Sequence, residues 1–110
     1  MPNQLNPDKL RVTYAEFADV LSKLQLVART KRTNLSDVLR QATQEFVVAH
    51  KAGKWNPAPY KSPAGRTALR RVTYAEWKDT HNYIQKVARA ERNGRADLLR
   101  QIMQTFSSGK

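Results

Sequence analysis

The chain contains the same segment twice. Residues 11 to 46, RVTYAEFADVLSKLQLVARTKRTNLSDVLRQATQEF, align without a gap on residues 71 to 106, RVTYAEWKDTHNYIQKVARAERNGRADLLRQIMQTF, with 18 identities in 36 positions at an offset of 60. A unit of about forty residues buries too little surface to be stable alone, so each copy must be completed by something else, and the other copy is at hand. Between them runs KAGKWNPAPYKSPAGRTALR, with Pro57, Pro59, Pro63, Gly53 and Gly65. Prolines at this density exclude a helix and favour an extended, partly stiff connector. The expected organisation is a first repeat over 7–50, a basic linker over 51–66 and a second repeat over 67–107.

Each copy reads as strand, helix, helix. Thr13 with Glu16 and Thr73 with Glu76 match a capping box, which starts a first helix at about Tyr14 and ends it near Thr30. Phe17, Leu21, Leu24 and Ala28 share one face of that helix, extended by Val27, and Trp77, His81, Ile84 and Ala88 share it in the second copy, extended by Val87. A polar turn leads to the second helix. Asn34 and Gly94 occupy its N-cap position, and Asp37 and Asp97 follow three residues later, suited to the positive end of the helix dipole. Leu35, Val38, Leu39, Ala42 and Phe46 make the apolar stripe of one second helix; Leu98, Leu99, Ile102 and Phe106 make the other. Upstream of the first helices, Asp8 to Val12 and Thr67 to Val72 lack helical period, and Lys9, Leu10, Arg11, Val12 alternate as a half-buried strand does. In the second copy that register puts Leu69 outward and Arg70 inward, which a bulge or slip near Leu69 would correct. A lone strand has no partner. The expected fold is therefore mainly α with a two-stranded antiparallel β-ribbon, four helices closing over one of its faces in a single pseudo-twofold domain.

Composition narrows the chemistry. Among 110 residues there is no cysteine, hence no disulfide or thiolate zinc site, and His50 and His81 are far apart in sequence. No glycine-rich phosphate loop is present, so no cofactor and no metal is expected, and an enzyme is the least favoured class. The longest apolar run, Phe46 to Ala49, cannot span a bilayer, and a soluble cytoplasmic, nucleoid-associated protein without a membrane partner is expected. A net charge of +11 instead points to a polyanion. Residues 51 to 70 hold five of those charges, in Lys51, Lys54, Lys61, Arg66 and Arg70, with no acid.

VARTKRTNLSDVLRQATQEF and VARAERNGRADLLRQIMQTF resemble the helix-turn-helix stretch of ribbon-helix-helix DNA-binding proteins of the Arc and MetJ type, through Val27-Ala28 and Val38-Leu39-Arg40 in one copy and Val87-Ala88 and Leu98-Leu99-Arg100 in the other. The resemblance covers both repeats, about two thirds of the chain, and is to the tandem form, in which one polypeptide supplies both halves. Two departures stand out: a first helix up to one turn longer than is common, and Arg32 and Arg92 where the turn often has glycine. The resemblance implies that the ribbon enters the major groove of double-stranded DNA and that Lys9, Arg11 and Arg71 contact base edges. Thr13 and Thr73 share their parity but are assigned to capping. It also implies that Asn34, Leu35 and Ser36, with Gly94, Arg95 and Ala96, present helix N-termini to phosphates, and that Arg32 and Arg92 add charge there.

Other assignments compete. Arg40 and Arg100 follow Asp37 and Asp97 at i,i+3, so surface ion pairs are their default. Glu16 with Asp19 and Glu76 with Asp79 are explained by capping and exposed helix faces. His81 is read as a packed core residue, and Leu69 as packing or register slip. Trp55 and Tyr60 could stack on bases, one of them could cover the apolar seam, or the connector could track phosphates. The function expected is a transcriptional repressor, monomeric and acting as a pseudo-dimer, with side-by-side assembly on DNA open. A plasmid-maintenance or relaxosome accessory role shares the same binding chemistry. An antitoxin-like helical interaction module and nonspecific RNA or single-strand binding are the remaining alternatives.

Overall fold

A computed structural model of the chain describes residues 7–60 and 68–108. Six elements follow one another: β1 (Lys9–Phe17), α1 (Ala18–Thr30), α2 (Leu35–Lys51), β2 (Leu69–Trp77), α3 (Lys78–Ala90) and α4 (Arg95–Ser108). The first three recur in the last three at the offset of the sequence repeat. The fold is mainly helical with one two-stranded sheet, and among the described residues no helix is long and apolar enough to cross a membrane.

β1 and β2 pair antiparallel, with Thr13 opposite Thr73, Arg11 opposite Ala75, Ala15 opposite Arg71, Lys9 opposite Trp77 and Phe17 opposite Leu69. Val12, Tyr14 and Glu16 with Val72, Tyr74 and Glu76 point into the protein, where Val20, Leu24, Leu39, Phe46, Ile84, Leu99, Ile102 and Phe106 complete the core. Ribbon and helices thus form two layers, as a sheet with one apolar face requires.

Both strands run further than expected and both first helices start later. Thr13 and Thr73 do not cap α1 and α3: they lie mid-strand, and Phe17 and Trp77 stand at the N-cap positions without a side-chain cap hydrogen bond. Thr-Tyr-Ala-Glu fits a strand equally well, because tyrosine and glutamate alternate with small residues at a period of two. α1 accordingly has 13 residues rather than an extra turn. No bulge or slip occurs at Leu69. It continues the outward face, and Arg70, on the inward parity, is exposed because the ribbon ends there.

The second helices begin as anticipated. Asn34 Oδ1 accepts the Asp37 N–H at 2.9 Å, and Leu98 N–H bonds Gly94 O at 3.1 Å at the equivalent start of α4. α1 and α3 end in paired backbone bonds: Thr33 N–H to Ala28 O with Arg32 N–H to Arg29 O, and Asn93 N–H to Ala88 O with Arg92 N–H to Arg89 O. This is the Schellman arrangement, whose left-handed residue is Arg32 (φ 56) or Arg92 (φ 58).

Lys51 belongs to α2, not to the connector. The connector then folds back on the helices. Trp55 meets the Phe46 ring edge-on at 4.7 Å, Ala58 N–H donates to Thr105 Oγ1 at 3.0 Å, and Tyr60 Oη donates to Asp97 Oδ1 at 2.8 Å. Both aromatics are used in packing, where one was expected. Lys61, Pro63, Gly65, Arg66 and Thr67 lie outside the described residues.

Candidate nucleic-acid interface

The outer face of the ribbon carries Lys9, Arg11, Thr13, Ala15 and Phe17 from β1 and Leu69, Arg71, Thr73, Ala75 and Trp77 from β2, since alternate residues of a strand share a face. Thr13 and Thr73 sit at its centre, their hydroxyls 2.9 Å apart. Arg11 and Arg71 flank this pair diagonally and are exposed. Each lies opposite an alanine, which leaves room beside the guanidinium. Neither side chain has a hydrogen bond or ion pair among the described residues. At one end Lys9 Nζ stands 4.4 Å from the centre of the Trp77 ring, a cation–π contact that fixes the ammonium on the outer face. The sequence placed Lys9, Arg11 and Arg71 here; Thr13, Thr73 and Trp77 were missed because helix-start and helix-face patterns claimed them.

Two arginines whose spacing suggests surface ion pairs hold the ribbon in place. Arg40 does bond Asp37, but its Nη1 also donates to Ala75 O at 2.8 Å. Arg100 likewise pairs with Asp97 at 2.8 Å and donates from Nη1 to Ala15 O at 2.7 Å and from Nε to Tyr60 Oη at 2.9 Å. At 8% exposure it is a buried cation with every direction of its fork engaged. Thus α2 is tied to β2 and α4 to β1 by charge-assisted bonds from near the helix starts. Asp37 and Asp97 are held below the usual carboxylate range, Asp37 by Thr33 and Arg40 and Asp97 by Arg100 and Tyr60.

The same clamps bring both helix N-termini alongside the ribbon. Leu35 and Ser36 open α2, and Arg95 and Ala96 open α4, each one turn or so before the arginine that clamps the ribbon. Arg95 Nη2 donates to Thr13 O at 2.9 Å, which ties this cation to the ribbon edge. Arg32 and Arg92 are exposed in the turns just before. Their φ values cost a non-glycine residue about 1 kcal/mol, so charge is present where glycine is the easier choice.

Beneath the ribbon lie Glu16 and Glu76, both 0% exposed. They are neither caps nor exposed helix residues. Glu16 accepts from Tyr14 Oη at 2.7 Å and from Phe17 N–H at 2.9 Å. Glu76 accepts from Tyr74 Oη at 2.9 Å, Trp77 N–H at 3.0 Å and Thr43 Oγ1 at 2.7 Å. The counterpart of Thr43 is Met103, so among the described residues Glu16 has no equivalent of that third bond. Burial pushes the Glu16 carboxyl up to about 7 against the lowering effects of Tyr14, Phe17 and Arg100. Burial also raises Glu76. His81 is buried as expected, and desolvation together with nearby Arg95 lowers its pKa.

No family model, curated protein or solved structure matches the chain.

Proposed function

We propose that the chain is a sequence-specific double-stranded DNA-binding protein of ribbon-helix-helix type, a repressor whose two repeats form one pseudo-twofold domain. The β-ribbon enters the major groove, whose width admits two antiparallel strands. The observation that carries this reading is the pair Arg11 and Arg71: exposed, without protein partners among the described residues, and set diagonally about Thr13 and Thr73 on a ribbon whose backbone is clamped from behind. Arginine forks on a rigid strand suit bidentate contacts to guanine O6 and N7, each worth roughly 1–3 kcal/mol of discrimination. Lys9 adds a donor at one end. The starts of α2 and α4, with Arg32, Arg92 and Arg95, supply phosphate contacts that set register without reading sequence.

Such a protein represses by occupying an operator, acting as one polypeptide on the nucleoid in the cytoplasm. No catalytic step is required. Selection from random duplexes yields the site, and a gel shift then tests Arg11→Ala with Arg71→Ala: specific binding falls by about five-fold or more per arginine, while helical circular dichroism is unchanged. Undiminished affinity in the double variant contradicts the proposal. Mapping the bound sites in the genome separates repression from a plasmid-maintenance role.

A further inference from the structure

We infer that the two ends of the ribbon read different chemistry, the Leu69 end a thymine methyl group and the Lys9 end a hydrogen-bond acceptor on a base, so that the chain sits on duplex DNA in one orientation. This rests on the ribbon reading above and goes beyond it. Of the five outward positions on each strand, three are identical between the repeats: Arg11 and Arg71, Thr13 and Thr73, Ala15 and Ala75. The two that differ, Lys9 against Leu69 and Phe17 against Trp77, are gathered by the antiparallel register into opposite ends. Lys9 faces Trp77 at one end, and Leu69 faces Phe17 at the other.

The consequences for recognition are unequal. At the first end an ammonium is held over the Trp77 ring, a donor for guanine O6 or N7 or for thymine O4. At the second end both residues of outward parity are apolar: Leu69 is half-buried, and Phe17 packs partly against the core, with the Tyr60 ring 6.3 Å away. An apolar side chain in the major groove has one favourable base feature to meet, the C5 methyl of thymine. The backbone contacts lean the other way. Arg95 stands beside Thr13 O at the start of α4, which serves the Arg71 and Leu69 half, whereas α2 has Leu35 in that place. One half therefore carries more base-directed charge and the other more phosphate-directed charge.

The experiment uses the full chain and its selected duplex, replacing each thymine in turn by uracil, which removes only the methyl. At the outermost base pair of one half the replacement weakens binding about four-fold, the worth of one buried methyl, and at the mirror position of the other half it has no effect. Leu69→Ala and Leu69→Lys each abolish the difference while specific binding persists. An equal response at the two outer positions, a response at neither, or a selected site that is a perfect palindrome overturns the inference and leaves the DNA-binding proposal standing. Failure to select any duplex sequence is a separate result, which removes both.

Discussion

Glu16, like its counterpart Glu76, is an acid buried on the core face of the ribbon among valine and tyrosine side chains. Burying it is tolerable because Tyr14, two residues away on the same face, turns its hydroxyl onto the carboxylate, and the next backbone N–H does the same. The arrangement still favours the neutral acid. With a folded value of about 7 against an ordinary 4.5, the unfolded chain ionises first as pH rises. Stability is therefore highest below pH 4.5 on this account and declines between 4.5 and 7, the reverse of an ion-paired carboxylate. The shift corresponds to an upper bound of about 3 kcal/mol. Wild-type protein is expected to melt at a lower temperature at about pH 8 than at about pH 5, and Glu16→Gln to flatten that dependence. A wild-type melting temperature that rises across this range would show that Glu16 stays ionised in the fold.

The elements differ in how far pattern reveals them. α2 and α4 could be placed closely from sequence, because the Asn34 cap, the early aspartates and the apolar stripes are local signals that tertiary packing reinforces. The strands could not be bounded, since Thr-x-x-Glu serves a helix start and an alternating strand alike, and what decides is the partner strand sixty residues away. The clamps made by Arg40 and Arg100 were equally invisible: a carbonyl of another element leaves no trace in local spacing. The turns offer a direct test at this scale. Replacing Arg32 and Arg92 together by glycine relieves two left-handed residues but adds freedom to the unfolded chain, so the net change in stability should stay within about 1 kcal/mol. Duplex affinity should nonetheless fall, for specific and random sequence alike. If calorimetry shows the glycine variant unchanged and binding at low salt is also unchanged, the turn arginines face away from the phosphates.

At the scale of the whole molecule, five of the eleven net charges lie in residues 51–70, Lys51 at the end of α2, Arg70 in β2 and three in the connector between, and Tyr60 bonds Asp97 in the first turn of α4. On the proposed DNA-binding reading, connector charge adds attraction that salt screens and sequence does not alter. Changing Lys54, Lys61 and Arg66 to glutamine is expected to weaken specific and random duplexes by the same factor. It should also make the slope of log affinity against log salt shallower by about 0.9 for each phosphate that the variant no longer neutralises. A weakening confined to the specific site would mean that the connector reads bases. The connector has one more effect, on what the protein can become. In a homodimer every substitution is made twice, so a residue that suits one side of the axis must also suit the other. Joining the halves removes that constraint, and the packing already departs from symmetry: Thr43 bonds the buried Glu76 while the equivalent position in the other repeat is Met103, and His81 occupies the place of Leu21. A mutation in this chain changes one repeat while its twin keeps the original residue, so on the proposed DNA-binding reading each half of the ribbon is free to drift toward its own target.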